Sequence, residues 1–490
     1  MTNIREEVEK ELQNSSSANV IKNFFWRIGE SGGAQLVSFL VSIVLARLLT
    51  PEDYGVIALV TVFTSILQVF VDSGLGTALV QKKNADEVDF SSVFYFNVLV
   101  CLTLYAGMFV AAPAIAKFYD NPIYIPLVRV LSLTLVISGL KNIQQAYVSR
   151  HMIFKRFFFS TLGGTIASAI LGIVMAYAGF GVWALAAQYV SNTAIDTLML
   201  WVTVPWRPRK KFSWMRLKEL LSYGWKLLAS ALMDTGYTSL WNLLIGKVYS
   251  AADLSFYDQG SRYPKAIIST ISNSIDSVLL PTMSSVQDDR AQIKSMTRRS
   301  IMTSVYVMAP LMMGLAGCAR PLVSLILTDK WLPCVPFLRI FCITYMFWPV
   351  HSANLNAIKA MGRSDLYLRL EILKKIIGIG LLLCTVKISV MAMACSLLIS
   401  SFASQIINSY PNWKLLNYRY LEQLRDILPS ILLAVIMAVA VGAVPLLGYG
   451  NVLTLCIQIP LGVVIYVAGS AIFRLESFRY LLNMIKDRRR

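Results

Sequence analysis

The feature that most constrains this chain is a long series of apolar segments separated by short polar loops. A helix needs about 20 predominantly apolar residues to cross the hydrocarbon core of a bilayer. We count about fourteen segments that meet this criterion. They lie at approximately residues 24–48, 54–80, 91–113, 124–147, 158–178, 181–203, 223–247, 263–283, 299–319, 335–358, 367–386, 388–408, 427–447 and 451–473.

The composition agrees with a membrane location. The 490 residues are 56% hydrophobic and 15% charged, with a mean hydropathy of +0.60, whereas about a quarter of a soluble chain is charged. The sequence therefore predicts an all-α polytopic membrane protein. Its net charge of +18 would suggest nucleic acid in a soluble protein, but here it fits basic cytoplasmic loops facing anionic lipid. We expect no nucleic-acid partner.

The distribution of Lys and Arg predicts the orientation of the chain. With the N-terminus in the cytoplasm, about 33 of the 45 basic residues fall in inner loops or tails and about 10 fall outside. This asymmetry predicts cytoplasmic termini and an even number of spans. The first 23 residues are charged and contain no apolar core, so we expect no cleaved signal peptide. The seven cysteines have no paired spacing, which favours neither a metal site nor disulfides.

An ungapped internal offset of 200 residues relates the first and seventh predicted spans. In both copies a basic residue ends the span and the pattern [ST]-x-x-D follows. An internal repeat of six spans would give two lobes of the same orientation, related by a pseudo-twofold axis along the membrane normal. The matched positions are Gln35 and Thr235, Ser38 and Thr238, Ser42 and Asn242, Arg47 and Lys247, Thr50 and Ser250, and Asp53 and Asp253.

The span positions and loop lengths predict the domain organisation. The longest loop contains Trp214, Leu217 and Leu220 at helical spacing, which predicts an amphipathic helix on the inner surface. The predicted parts are a cytoplasmic N-terminal tail (1–22), an N-lobe of helices 1–6 (23–205), a cytoplasmic amphipathic linker (206–222), a C-lobe of helices 7–12 (223–410), helices 13–14 (411–475) and a basic cytoplasmic tail (476–490).

Polar stripes follow one face of the first and seventh spans. At about 100° per residue, Arg27, Gln35 and Ser38 share one face of the first span, and Lys226, Asp234 and Asn242 recur along the seventh. Such stripes face a neighbouring helix or a water-filled cavity. Packing accounts for the serines alone. A water-filled cavity is favoured for the ionisable groups, and snorkelling is the alternative for Arg27 and Lys226, which lie at the ends of their spans. The predicted cavity residues are Arg27, Glu30, Gln35, Ser38, Arg47, Lys226, Asp234, Asn242 and Lys247.

Several motifs resemble one known family. The stretch ARLLTPEDYGVIALVTVF followed by DSGLGTALVQKK resembles the polysaccharide-transporter branch of the multidrug/oligosaccharidyl-lipid/polysaccharide exporter superfamily. These are the Wzx-like flippases, especially their colanic-acid-exporter-like members. The resemblance continues in order from about residue 23 to about residue 416. The further motifs are SRHMIFKRF (Ser149–Phe157), SFYDQGSRYPKAI (Ser255–Ile267), LLPTMSSVQDD (Leu279–Asp289) and TDKWLPCVPFLRI (Thr328–Ile340).

The resemblance implies a fold and a function. It implies two six-helix lobes around a central cavity, with two additional C-terminal helices outside them. It also implies alternating access in a bacterial inner membrane, moving an undecaprenyl-diphosphate-linked oligosaccharide from the inner to the outer leaflet. Such an anionic, polar head needs a hydrated and preferably basic cavity. Membrane lipids and polysaccharide polymerase machinery are the other partners that we expect.

Within that family, three further sets of residues suggest roles. Asp234 and Asp276 are candidates for coupling to H⁺ or Na⁺. The stretch with Asp72, Gly74 and Gly76 suggests an inner gate, or alternatively a capped helix end followed by lysine anchors at the interface. His351 suggests either a proton carrier or a structural histidine.

Three alternatives differ in function class. A membrane glycan-pathway enzyme would need catalytic residues on a sizeable outer loop, and this sequence has no such loop. It also has no GxxxxGK[ST] phosphate loop, so we expect no direct ATP hydrolysis. We further expect no enzymatic activity, catalytic residue, metal site or bound cofactor. A cation-coupled multidrug exporter would share the fold. A scaffold protein would leave the polar stripes without a role.

Overall fold

The computed structural model describes residues 17–72, 74–82, 84–151 and 154–487, and it is helical throughout, with no strand among these residues. Contacts between residues divide the chain into two compact units, Met1–Ser255 and Phe256–Arg490. Some described helices include stretches whose side chains lie outside the description. These are residues 17–32, 154–157, 223, 226, 270, 272–274, 276–278, 364 and 484–487.

The first unit contains eight helices and the start of a ninth. They are α1 (Ser17–Leu48), α2 (Pro51–Asp72), α3 (Leu75–Gln81), α4 (Glu87–Phe118), α5 (Tyr124–His151), α6 (Phe154–Tyr177), α7 (Val182–Thr203), α8 (Trp214–Val248) and α9 (Ala251–Ser284). Helices α6 and α7 pack against each other, as do α4 and α5, and α1 packs against α6.

The second unit contains the remainder of α9 and eight further helices, with short 3₁₀ turns at Asp329–Cys334 and Val444–Leu447. Its α-helices are α10 (Arg290–Leu327), α11 (Val335–Met346), α12 (Trp348–Ala360), α13 (Ser364–Thr385), α14 (Val390–Leu416), α15 (Tyr420–Ala443), α16 (Asn451–Ile472) and α17 (Glu476–Asp487). The long helix α10 is central, because it packs against α11, α12, α15 and α16.

The predicted all-α polytopic membrane fold is confirmed. Each of the fourteen predicted spans overlaps helical residues. Within the described ranges, nine helical stretches are long and apolar enough to cross a membrane. The number fourteen and the predicted lobe boundaries stay predictions. Residues 1–16 of the predicted N-terminal tail and 488–490 of the basic tail lie outside the described residues.

The two [ST]-x-x-D motifs form matching capping boxes at the starts of α2 and α9. The backbone N–H of Thr50 donates to Asp53 Oδ2 at 3.0 Å, and that of Asp53 donates to Thr50 Oγ1 at 3.2 Å. In the second copy, Ser250 N–H donates to Asp253 Oδ2 at 3.2 Å and Asp253 N–H to Ser250 Oγ at 3.1 Å. Each box satisfies two N–H groups that a helix start leaves unpaired.

The linker has a different structure from the predicted surface helix. No helix covers residues 204–213, and from Trp214 the chain is helical without a break to Val248. The predicted interfacial segment is therefore the first part of α8, where Leu217 and Leu220 are buried. Helix α8, assigned by sequence to the second half, packs in the first unit, with Gly246 directly against Leu59 of α2.

Hydrogen bonds and ion pairs attach the linker to the start of α4. The backbone N–H groups of Arg209 and Ser213 donate to Ser91 Oγ and Ser92 Oγ, each at 2.9 Å. Arg216 pairs with Asp86, the N-cap of α4, and its hydrogen bond is the main reason that the pKa of this carboxyl is lowered. The linker is thus a packed part of the first unit.

Candidate functional site

An ion pair lies among the spans of the first unit. Lys141 Nζ of α5 is 2.9 Å from Asp196 Oδ2 of α7. The two side chains are only 18% and 10% exposed, respectively. Ionisable residues within spans are costly, so they usually pair and mark a functional position.

Helix α6 supplies the remaining partners of Asp196. The Ser160 hydroxyl donates to its carboxylate and lies 2.8 Å from its backbone carbonyl oxygen. One turn before Asp196, the Asn192 amide donates to Ser168 Oγ at 3.1 Å. Helices α6 and α7 can lie this close because residue 164 is a glycine. A Cβ on Gly164 would lie 3.2 Å from Asp196 Cβ. The carboxylate of Asp196 on α7 is therefore held by side chains of two other helices, α5 and α6.

A second carboxylate lies near the same lysine. Asp72, at the end of α2, accepts hydrogen bonds from the Gln68 amide at 3.1 Å and the Asn142 amide at 3.4 Å. Lys141 is close enough to interact with Asp72 electrostatically. Two adjacent residues of α5 thus contact carboxylates on different helices: Lys141 pairs with Asp196 of α7, and Asn142 donates to Asp72 of α2. A group of one ammonium and two carboxylates has a net charge of −1. It can therefore accommodate one additional positive charge, such as a proton.

The predicted gate residues lie at this junction. Gly74 has φ = +63°, a left-handed conformation that favours glycine, and a Cβ there would lie 3.1 Å from the carbonyl oxygen of Gly224 in α8. A Cβ on Gly76 would lie 2.9 Å from Asn142 Oδ1. The glycines are therefore required for the turn and for close packing, and their role as a gate stays a prediction.

The predicted cavity residues of α1 and α8 differ in exposure. Gln35 and Asp234 are exposed, whereas Ser38 and Asn242 are half-buried. Thr238, one turn after Asp234, is also exposed, and its hydroxyl donates to the Asp234 carbonyl oxygen at 3.1 Å. The polar stripe of α8 is accordingly accessible along at least one helical turn.

The two basic residues that end the repeated spans lie at helix C-termini. Arg47 is exposed in the last turn of α1, and Lys247 is exposed in the last turn of α8. Lys247 contacts the end of α4, donating to the Phe118 carbonyl oxygen and lying 3.7 Å from Asp120 Oδ2. Both ammonium and guanidinium groups favour this position because of the helix dipole.

Four predicted side chains lie outside the described part of the structure, although their helices are within it. Arg27 and Glu30 belong to α1, Lys226 to α8 and Asp276 to α9. Their assignments to the cavity and to ion coupling stay predictions. Among the described residues, no group of three or more His, Cys, Asp or Glu side chains is arranged to hold a metal ion.

The second unit contains a buried network of amides rather than charges. Gln423 of α15 accepts from the Asn354 amide at 2.8 Å and donates back to Asn354 Oδ1 at 3.1 Å. The Asn412 amide also donates to Asn354 Oδ1, at 2.7 Å. All three residues are fully buried. Such reciprocal bonding fixes α12, α14 and α15 relative to one another.

His351 lies on α12, three residues before Asn354 of this network. Its Nε2 is 3.2 Å from Ser401 Oγ and its Nδ1 is 3.2 Å from the Asn408 amide nitrogen. An amide donor at Nδ1 selects the neutral tautomer that donates from Nε2. This arrangement favours the structural interpretation of the histidine.

Sequence reasoning missed the pairing of Lys141 with Asp196. The available signal was a lone lysine in the fourth predicted span and a lone aspartate in the sixth. Opposite charges in different spans of one lobe are candidates for a pair, because each is costly alone. The buried amides of α12, α14 and α15 gave no comparable signal, since single Asn and Gln residues are common in packed helices.

Comparisons with known proteins agree with this architecture. A sequence profile of the family described as "Polysaccharide biosynthesis protein" matches residues 44–336, more than half of the chain. The chain belongs to this family. It is 22% identical over 348 residues to the succinoglycan biosynthesis transport protein ExoT of Rhizobium meliloti (strain 1021), covering 71% of this chain and 70% of that protein.

Two further similarities support the predicted resemblance. The chain is 22% identical over 338 residues to the lipopolysaccharide biosynthesis protein WzxC of Escherichia coli (strain K12), covering 68% of each. The solved structure of the lipid II flippase MurJ, in an inward closed conformation, matches with a TM-score of 0.73 at 16% identity, covering 94% of this chain and all of that one. The structural match shows the fold. The resemblance to the Wzx-like polysaccharide-transporter branch is confirmed.

Proposed function

We propose that this member of the polysaccharide biosynthesis family is a flippase. It moves an undecaprenyl-diphosphate-linked oligosaccharide, the repeat unit of a capsule, O-antigen or exopolysaccharide, from the inner to the outer leaflet by alternating access. Two kinds of similarity support the proposal: a relative named as a succinoglycan biosynthesis transport protein, and a fold like that of the lipid II flippase MurJ.

The observation that carries the proposal is the accessible polar stripe of α8. Asp234 and Thr238 are exposed in the interior of a 35-residue helix. In the predicted seventh span a carboxylate facing hydrocarbon would be strongly unfavourable, so an exposed one there indicates water. A hydrated surface along a span is what a polar oligosaccharide head requires when its lipid tail stays in the bilayer.

The location and the partners follow from the same proposal. The chain is a multi-pass membrane protein, and we place it in the bacterial inner membrane with both termini in the cytoplasm, as the basic residues predict. Its substrate reaches it from cytoplasmic glycan assembly, and the exported unit passes to polymerase machinery on the outer side. No enzymatic step on the sugar is part of the proposal.

We also propose coupling to an ion gradient. Asp234 and Asp276 remain the predicted coupling carboxylates, and the geometry adds Asp196, which pairs with Lys141, and Asp72, which interacts electrostatically with the same ammonium. Because the described residues around these two carboxylates provide one ammonium, that of Lys141, the cluster favours binding of H⁺ or Na⁺ in one conformation. No bound cofactor is required.

The drug-exporter alternative shares the fold, and fold does not determine substrate. The family match over residues 44–336 favours a polysaccharide pathway over drug export. A glycan-pathway enzyme is less favoured, because the relative ExoT is named as a transport protein and not as an enzyme.

The decisive experiment follows lipid-linked glycans in a host strain that lacks this gene and any redundant flippase. Mass spectrometry identifies the glycans, and a membrane-impermeant sugar-oxidising reagent assigns their leaflet. A complete repeat unit that accumulates on the inner leaflet is the expected result. Truncated glycans would indicate an enzyme, and normal glycans on both leaflets would exclude the flippase.

In the same strain, we expect Asp234→Asn to restore surface polysaccharide poorly. Loss of a hydrogen bond to a charged group lowers a transport rate by about ten- to hundredfold. Asp288→Asn is the matched control, because it removes the same charge from an exposed turn between α9 and α10. Equal complementation by both variants, at equal protein levels, would contradict a role for Asp234 in transport.

A further inference from the structure

A cationic cavity lies in the second unit. It has a volume of about 310 Å³ and lies between the start of α10 and the C-terminal helix α17. Its charged lining consists of Arg298, Arg299, Arg479 and Glu476, with polar groups from Ser295 and Asn483. Three positive charges and one negative charge leave an excess of about two positive charges on the lining.

Arg298 holds the two walls of this cavity together. Its guanidinium donates to both carboxylate oxygens of Asp426 in α15, at 2.9 and 3.0 Å. It also donates to both carboxylate oxygens of Glu476 in α17, at 3.1 and 3.0 Å. Paired hydrogen bonds of this kind fix geometry as well as charge. Arg298 is therefore a positioning residue whose own charge is compensated.

The charges of Arg299 and Arg479 are not compensated in this way. Both side chains are exposed, and within the described part of the chain neither forms an ion pair with a carboxylate. The Arg299 guanidinium lies 5.0 Å from the ring centre of Tyr480, an arrangement that orients its N–H groups without neutralising them. An oriented guanidinium and a second one on the same lining, beside serine and asparagine, suit a phosphate group.

The surroundings of the cavity indicate a lipid as the source of that phosphate. Helix α17 is amphipathic, with Phe478, Leu481 and Leu482 alternating with polar residues. At the end of α16, next to it in the chain, Ile472 and Phe473 are highly exposed. Positive charge places this end of the unit at the cytoplasmic leaflet. Apolar surface beside a cationic cavity provides contacts for acyl chains and headgroup together.

We propose that this cavity binds the phosphate headgroup of an anionic phospholipid of the inner leaflet, with Arg299 and Arg479 as the main contacts. Lipid binding there secures α17 against the start of α10. The inference does not depend on what the protein transports.

The test uses the full-length protein in neutral detergent and native mass spectrometry with short-chain phosphatidylglycerol. Phosphatidylcholine and inorganic phosphate serve as separate probes. We expect Arg299→Gln/Arg479→Gln to weaken phosphatidylglycerol binding by about 30-fold, given the usual contribution of two basic residues near an anionic membrane surface. The control is Lys210→Gln/Lys211→Gln, which removes two exposed charges from the linker and should bind like the wild type.

Each outcome is informative. If phosphatidylglycerol binding is weakened in Arg299→Gln/Arg479→Gln but retained in Arg299→Lys/Arg479→Lys, the result supports the site and excludes misfolding as the cause of the loss. Equal phosphatidylglycerol affinity in all variants would overturn it. Inorganic phosphate that competes at concentrations similar to those of the lipid would overturn the lipid source and indicate a soluble phosphate ligand. Equal binding of phosphatidylcholine would overturn the role of net charge.

Discussion

Lys141→Met is expected to destabilise the first unit by about 3–5 kcal/mol, because it leaves the carboxylate of Asp196 without its cation among the spans. In detergent this should lower the melting temperature by about 10 °C. Asp196→Asn should cost less, because Asp72 can still interact with the remaining ammonium. Comparison of the stability lost in Lys141→Met with that lost in Asp196→Asn therefore tests whether Lys141 interacts with both carboxylates.

The matched control is Lys210→Met, which removes a lysine that is exposed in the linker and should change the melting temperature little. The double variant Lys141→Met/Asp196→Leu should recover much of the loss, since an apolar replacement of a whole buried pair is often neutral. If Lys141→Met melts like Lys210→Met, the pair is not important for stability. If the double variant is stable but fails to support polysaccharide export, the pair is required for transport itself.

The spans and the repeated caps could be predicted from the sequence because their signals are local. An apolar run of about 20 residues is visible without knowledge of its neighbours. The same holds for [ST]-x-x-D, whose bonds connect residues three apart in the chain, and both copies form them. The glycines near Asp72 likewise indicated a turn, and Gly74 adopts a positive φ in that turn, a conformation that favours glycine.

The pairing of Lys141 with Asp196 could not be predicted, because the two residues lie 55 positions apart. Their contact depends on the rotation of α5 and α7 about their axes, which is determined by packing along the whole helices. Small residues such as Gly164 set that packing distance. A lone charge in a span predicts that a partner exists, but it does not identify the partner.

The position of α8 could not be predicted for a related reason. Sequence repetition at an offset of 200 places α8 at the start of a second half, whereas contacts place it in the first unit. Repetition reports common ancestry of segments, and packing depends on the surfaces that the segments present. Here Gly246 of α8 allows Leu59 of α2 to approach closely, and the linker is attached to α4 by hydrogen bonds.

Gly55→Ala is the second substitution from which we expect a large effect. A Cβ at this position would lie 1.8 Å from the carbonyl oxygen of Ala251 and 2.3 Å from its carbonyl carbon. These are backbone atoms, so no rotamer change can relieve the clash. The starts of α2 and α9 must separate, and we expect a loss of about 3 kcal/mol or more, at the upper end of overpacking effects.

Melting of the purified protein in detergent measures this loss, and Gly107→Ala is its control. Gly107 lies within α4 and a Cβ there would meet no atom within 4 Å, so that variant should melt at or slightly above the wild-type temperature. The equivalent of Gly55 at the offset of 200 is Ser255, whose buried hydroxyl donates to the Ala252 carbonyl oxygen at 2.8 Å. The repeat is therefore asymmetric at this contact, and only the first copy requires glycine. Equal melting of Gly55→Ala and Gly107→Ala would show that the caps of α2 and α9 can move apart freely.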